Sequence, residues 1–170
     1  MMNDESPIQH SSFVTHHSKF VIHHSTFITM QPSPQAVVTH MMQHDAFSQW
    51  LGITVLEVTA GHSKITMTVR PEMINGFGIV HGGIAFSLAD SAFAFACNNR
   101  NVLSVALDTS INFIKPVHVG DVLTAEASEL NNGKSTGLYH IHIYNQHNHL
   151  VALFKGTCFR TNKNLVPPTV

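Results

Sequence analysis

The chain reads as an α+β domain in which one long antiparallel sheet curls around a central helix. Two observations carry that reading. Residues 84–97 (Ile-Ala-Phe-Ser-Leu-Ala-Asp-Ser-Ala-Phe-Ala-Phe-Ala-Cys) are Ala-rich and apolar on every side. A helix with no solvent-facing stripe has to be wrapped by other structure. Two segments with strand patterning precede it and four follow, and a curled sheet buries such a helix completely.

The elements follow in order. Over residues 39–50, Met41, Met42, Phe47 and Trp50 fall at helical positions and Gly52 supplies a stop. Residues 53–60 and 63–70 alternate apolar with polar, and Gly61-His62 between them predicts a hairpin. Pro71 ends the second strand, and Asn75-Gly76-Phe77-Gly78 is a turn-rich loop. Past the helix, strands are expected near residues 103–114, 121–130, 136–145 and 150–160. The intervening segments 116–120, 131–133 and 145–149 have good turn chemistry. In the first of these strands Val105, Leu107, Thr109, Ile111 and Phe113 are expected to share one face.

Composition narrows the function classes. Of 170 residues only 11% are charged, against about 25% in ordinary soluble domains. Something is expected to cover much of the surface, a subunit partner first of all. A formal charge of −1 argues against an electrostatic grip on nucleic acid or anionic lipid. No apolar run reaches the ~18 residues that span a bilayer. The first residues lack the charged start, apolar core and small-residue cleavage site of a signal peptide. Cys97 and Cys158 both sit in apolar stretches, which predicts reduced core thiols in a cytoplasmic protein.

The N-terminal segment is unlike the rest. Three seven-residue units begin at His10, His17 and His24. Their apolar residues are adjacent pairs (Phe13/Val14, Phe20/Val21, Phe27/Ile28), which fails the coiled-coil pattern. No Cys or carboxylate converges with the histidines to complete a metal site. Residues 1–38 are therefore expected to be a low-complexity, disordered extension, with a folded domain over 39–163 and a tail over 164–170. Translation from Met30, Met41 or Met42 is an alternative account of the repeat.

The chemistry centres on Asp90. It is the one ionisable side chain between His81 and Arg100, in mid-helix among Leu88, Ala89, Ala92 and Phe93. A carboxylate there needs a partner or suffers desolvation. It either caps a neighbouring backbone group, reaches solvent at a subunit seam, or does chemistry. His81-Gly82-Gly83 weighs toward chemistry. Glycines at a helix start let backbone N–H groups approach a ligand, and the helix N-terminus favours developing negative charge. Asp90 lies seven residues past Gly83, on the same helix face. An oxyanion donor and a base or nucleophile together make an acyl-transfer pair. A tight strand-to-helix turn is the ligand-free account of the glycines. Asn75 could hold a water or a carbonyl with its amide, oriented by His81; its plain account is an Asn-Gly turn. Cys97 reads as core. His140 and His142 on one strand, and His147 and His149 in a turn, read as surface residues, so no metal site is expected.

These residues resemble a known family. Asn75-Gly-Phe-Gly-Ile-Val-His81-Gly82-Gly83, the 15-residue interval to Asp90, and the run from Ser87 to Asn98 are similar to the hotdog-fold acyl-CoA thioesterases, closest to the PaaI branch of phenylacetic acid degradation. Asn112-Phe-Ile-Lys-Pro116-Val-His-Val-Gly120-Asp121 and Gly133-Lys134-Ser135-Thr136-Gly137 continue the likeness, which spans roughly residues 39–162. It implies a hotdog fold and a homodimer, commonly paired into a homotetramer, with active sites at the subunit interface. It implies Asp90 as nucleophile or general base from one subunit, with Asn75, His81 and the Gly82 N–H binding the thioester carbonyl from the other. Gly83, Phe113, Lys115, Pro116, Gly133, Lys134 and Ser135 would line the path of coenzyme A, with Lys115 and Lys134 as phosphate contacts or ordinary solvated lysines. An aryl-acetyl thioester such as phenylacetyl-CoA or hydroxyphenylacetyl-CoA is the expected substrate, and no cofactor is expected because coenzyme A enters with it. An acyl-CoA hydratase or dehydratase, and a non-catalytic acyl-CoA-binding module, are the competing readings.

Overall fold

The structure, a computed structural model, describes residues 31–167; the histidine repeat lies outside the described residues. Helices α1 (Pro34–His44) and α2 (Ala46–Leu51) lead into β1 (Thr54–Thr59) and β2 (His62–Thr68). A 3-10 turn (Pro71–Met73) and a loop then reach α3 (Gly82–Asn98). Strands β3 (Ser104–Phe113), β4 (Val122–Asn132), β5 (Thr136–Tyr144) and β6 (Leu150–Arg160) complete one antiparallel sheet in the order β1-β2-β4-β5-β6-β3. Among the described residues no helix is long and apolar enough to cross a membrane.

Among the described residues, regular structure begins before residue 39. Ser33 Oγ accepts the Ala36 N–H at 3.2 Å and Pro34 opens the first turn, so α1 begins there and buries Val37 and Val38. Serine at the cap followed by proline is a sound helix start. The single helix expected over residues 39–50 is two. Asp45 leaves helical geometry to cap α2, its Oδ1 accepting the Ser48 N–H at 2.9 Å and its Oδ2 the Ser48 hydroxyl at 2.6 Å.

Apolar residues of β2, β4, β5 and β6 alternate inward onto α3, as a sheet with one buried face requires. Phe93 packs edge-on to Tyr139 and tilts against Phe154, while Phe86 meets Phe154 edge-on. Gly156 makes that approach possible, since a Cβ there would lie 2.9 Å from the Phe93 ring. The helix is tied at its far end by two buried asparagines. Asn98 exchanges hydrogen bonds with the Ser104 backbone, and Asn99 joins Gly61, Thr59 and His62. Asn101 clamps the backbone of Val166 in the C-terminal segment.

Strand β3 departs from its expected alternation. Ala106 pairs with Cys158 and Asp108 with Thr157, leaving Leu107 as an extra residue. That bulge switches faces. Val105 therefore opposes Phe159 on the outer side, while Thr109, Ile111 and Phe113 oppose Gly156, Phe154 and Ala152 on the helix side. Nor is α3 closed on all sides: Gly83, Ser87, Asp90 and Ala94 form a half-buried stripe along it.

One polar cluster braces the sheet. Glu129 receives both Arg100 guanidinium nitrogens at 2.8 and 2.6 Å, the Tyr139 hydroxyl at 2.7 Å and Arg160 at 3.4 Å. Burial alone would raise its pKa, but the Arg100 and Tyr139 bonds and the charge of Arg160 hold it below the usual value. A depressed carboxylate contributes stability above its unfolded pKa and loses it as pH falls through the folded one. Glu129→Ala is expected to cost about 3 kcal/mol in urea unfolding at pH 7, the range for breaking a buried charge cluster. The loss should shrink toward pH 3, below the ordinary glutamate pKa of about 4.3.

Candidate active site

The site is built where the loop after the 3-10 turn delivers the chain into α3. That loop closes on itself: Ile74 bridges Val80, and the Asn75 N–H donates to the Ile79 carbonyl at 2.7 Å. Asn75 Oδ1 accepts the N–H of Phe77 at 2.9 Å and of Ile79 at 3.4 Å. With the oxygen spent on the loop, the Nδ2 amide is left as a donor with no acceptor among the described residues. The loop orients this amide. His81 does not bond to it, so the expected His81–Asn75 contact is replaced by a local turn.

His81 has a different task. Its N–H donates to the Met73 carbonyl at 2.9 Å, and its Nδ1 caps α3 by accepting the Gly83 N–H at 2.8 Å. An accepting Nδ1 is bare, so the neutral ring assigned from this bond carries its proton on Nε2. The two glycines serve different contacts. A Cβ on Gly83 would lie 2.8 Å from His81 Nδ1 and displace the cap, while one on Gly82 would meet the Phe113 ring at 3.1 Å. Gly82 is the first residue of α3, and its N–H precedes any intrahelical acceptor.

Asn75, His81, Gly82, Phe113, Lys115 and Pro116 line one cavity of about 230 Å³, together with Ile79, Val80, Ala85 and Val117. The first six were singled out from sequence. The last four were not, although Ala85 stands three residues past Gly82, where helical periodicity puts it on the same face. The cavity thus combines the amide of Asn75, the ring of His81, a spare backbone N–H and the positive end of a long helix. Such donors stabilise charge that develops on a carbonyl oxygen.

Asp90 lies apart from that cavity. It is on the stripe with Gly83 but seven residues later, about 10 Å further along the helix axis. Burial holds its carboxyl above the ordinary range, and among the described residues no cation or donor offsets the cost. Gly133, Lys134 and Ser135 are further still. Their turn sits beside Arg160, whose N–H donates to the Ser135 carbonyl at 2.9 Å and whose Nε donates to the Gly133 carbonyl at 3.2 Å. Phe113 pairs with Ala152, eight residues back along β6, or about 26 Å away. A single chain therefore does not bring this turn and residues 113–116 to one ligand. The histidines His140 and His142 lie on the outer sheet face, and among the described residues no group of three or more side chains is arranged to hold a metal ion.

The profile of the Thioesterase superfamily matches residues 77–152, which takes in every cavity residue except Asn75. The chain is 45% identical over 120 residues to the acyl-coenzyme A thioesterase PaaI of Escherichia coli, covering 71% of this chain and 86% of that protein. The solved structure of E. coli PaaI, from its phenylacetic acid degradation operon, matches with a TM-score of 0.75 at 41% identity, over 77% of this chain and 95% of that one. A hypothetical thioesterase from Streptococcus pneumoniae, solved with coenzyme A, matches with a TM-score of 0.69 at 27% identity, over 74% and 98% of the two chains. Likeness of this extent, running through the whole of α3 and most of the sheet, makes the chain a member of the PaaI-type acyl-CoA thioesterases of hotdog fold, and a thioester hydrolase.

Proposed function

We propose that the protein hydrolyses aryl-acetyl thioesters of coenzyme A, phenylacetyl or hydroxyphenylacetyl, to the free acid and coenzyme A, in a site shared by two copies of the chain. The observation that carries this is the separation within one chain of an electropositive cavity from the carboxylate it needs. The thioester oxygen takes the Gly82 N–H, with the Asn75 amide and His81 Nε2–H close by. Asp90 of a second copy draws a proton from water, or attacks directly. The C–S bond breaks, and the thiolate leaves with a proton to give free coenzyme A. Preorganised donors contribute about 3–4 kcal/mol to such a step.

The geometry of β3 supports the shared site. It is an edge strand with Val105, Leu107 and Phe113 more than half exposed. An apolar open edge invites pairing with another strand. Antiparallel pairing of β3 with its copy would set the Ser104 end of one chain beside the Phe113 end of the other. The Gly133–Lys134–Ser135 turn of the copy then approaches Lys115 and Pro116, as a long ligand like coenzyme A requires. A dimer is the minimal unit, and two dimers can pair into a tetramer. At about 30 Å³ for each water-sized group, the cavity of about 230 Å³ seats one aromatic ring, and the second copy closes over the rest of the acyl group. The mechanism calls on no cofactor beyond the coenzyme A of the substrate. The two unpaired buried thiols suit a reducing compartment such as the cytoplasm.

Asp90→Asn is expected to lower kcat/KM for phenylacetyl-CoA by at least about a hundredfold, the lower range for loss of a positioned base. The wild-type acid limb should lie above the ordinary aspartate pKa of about 3.9. Raised folded pKa also means that ionised Asp90 costs stability, so the same variant should melt higher than wild type at pH 7 and no higher below that unfolded value. Equal hydrolysis by both proteins would remove Asp90 from the catalytic machinery.

Sharing is tested by co-expressing Asp90→Ala and Asn75→Ala chains. Each alone should be nearly inactive, while random mixed two-fold dimers should regain about a quarter of wild-type activity, because each mixed dimer holds one intact site. No recovery would place both residues in the same chain's site.

A further inference from the structure

We infer that Ala85 sets the size of the acyl group this enzyme accepts, its methyl forming the floor on which an aryl ring comes to rest; the inference rests on the reading of the cavity as the thioester site. Burial orders the lining residues by depth. His81, Gly82, Phe113, Lys115 and Pro116 are exposed and form the mouth, while Asn75, Val80 and Val117 are half-buried. Ala85 is the one buried lining residue, at 5% exposure. It stands one helical turn below the Gly82 N–H on the same face of α3.

A carbonyl held by that N–H has two substituents to place. Coenzyme A, large and charged, stays at the mouth, where Lys115 lies. The acyl group takes the inward direction, between Val80, Val117 and the Phe113 ring and down onto Ala85. Because Ala85 is packed on its other sides, any larger side chain there grows into the cavity. A neighbouring hollow of about 170 Å³, ringed by Ile74, His118 and Val119, is the rival seat. None of its lining residues is buried and it touches none of the three donors.

Wild type, Ala85→Gly, Ala85→Val and Ala85→Leu are assayed with acetyl-CoA, phenylacetyl-CoA and naphthylacetyl-CoA, with thermal midpoints measured alongside. Each is also titrated with a thioether analogue in which a methylene separates the phenylacetyl carbonyl from sulfur. Ala85→Leu should lower kcat/KM for phenylacetyl-CoA by about 30- to 100-fold and for acetyl-CoA by no more than about threefold, as steric exclusion in an apolar pocket does. Ala85→Val should fall between, and Ala85→Gly should favour the two-ring substrate. Folded variants that lose all three substrates alike, or none, overturn the inference. Should the leucine variant not fold, the order Gly, wild type, Val decides. Wild type that binds the analogue in an Ala85-dependent way but hydrolyses no thioester sinks the hydrolase reading and leaves the floor intact. Analogue binding that ignores residue 85 removes the floor while hydrolysis stands.

Discussion

A seventeen-residue helix whose one charged side chain is Asp90 can persist only where other structure replaces water around it. The rest of the molecule answers that constraint. Four strands turn their apolar faces onto α3, and Gly156 lets the Phe93 ring settle against β6. Both ends of the helix are held by hydrogen bonds from residues in or beside it: Asn98 and Asn99 at the far end, His81 at the near end. Fixing the ends fixes the direction and height of the first free N–H. The packing that stabilises the fold therefore also aims the Gly82 donor into the cavity, and no flexible element separates the two.

Two surfaces of the chain are left unfinished by that packing. One is the open edge of β3 with its exposed apolar side chains, and the other is the half-buried stripe that carries Asp90. An unpaired carboxylate in partly apolar surroundings lowers stability, and a bare apolar edge invites aggregation. In the proposed dimer, pairing of β3 with its own copy covers the edge and brings the copy to the cavity mouth. Under the proposed function, that desolvated carboxylate holds a proton more tightly than an exposed aspartate would, which suits a base.

Composition and spacing made the framework legible. The apolar run of α3 demanded a wrapper, the turn residues divided the six strands, and His81-Gly82-Gly83 marked a helix start open to a ligand. What escaped depends on contacts distant in sequence. Asp45 splits one expected helix because its side chain serves the next helix better than its backbone serves the last. The bulge at Leu107 leaves no trace in composition, yet it sends Val105 to the other face. The asparagines at 98, 99 and 101 carried no sequence reading of their own and are buried clamps. Ala85 was one alanine among many until burial set it apart. Asn75 carried two readings, turn and ligand donor; the structure gives the turn to Oδ1 and leaves Nδ2 free for the other.

The choice of histidine as cap follows from the same accounting of donors. Serine, threonine or aspartate would accept the Gly83 N–H at least as well. Aspartate would bring a negative charge against the oxygen that the cavity has to stabilise, cancelling the field of the helix end. A serine hydroxyl ends at the cap itself. Imidazole accepts on Nδ1 and presents Nε2–H on the far side of a rigid ring, so one side chain completes the helix and extends a donor beyond it. That arrangement brings the ring to within 2.8 Å of where a Cβ on residue 83 would stand, so only a residue without one leaves it the room. Gly83 is thus tied to His81 by sterics and Gly82 to Phe113, and the paired glycines reflect two independent contacts.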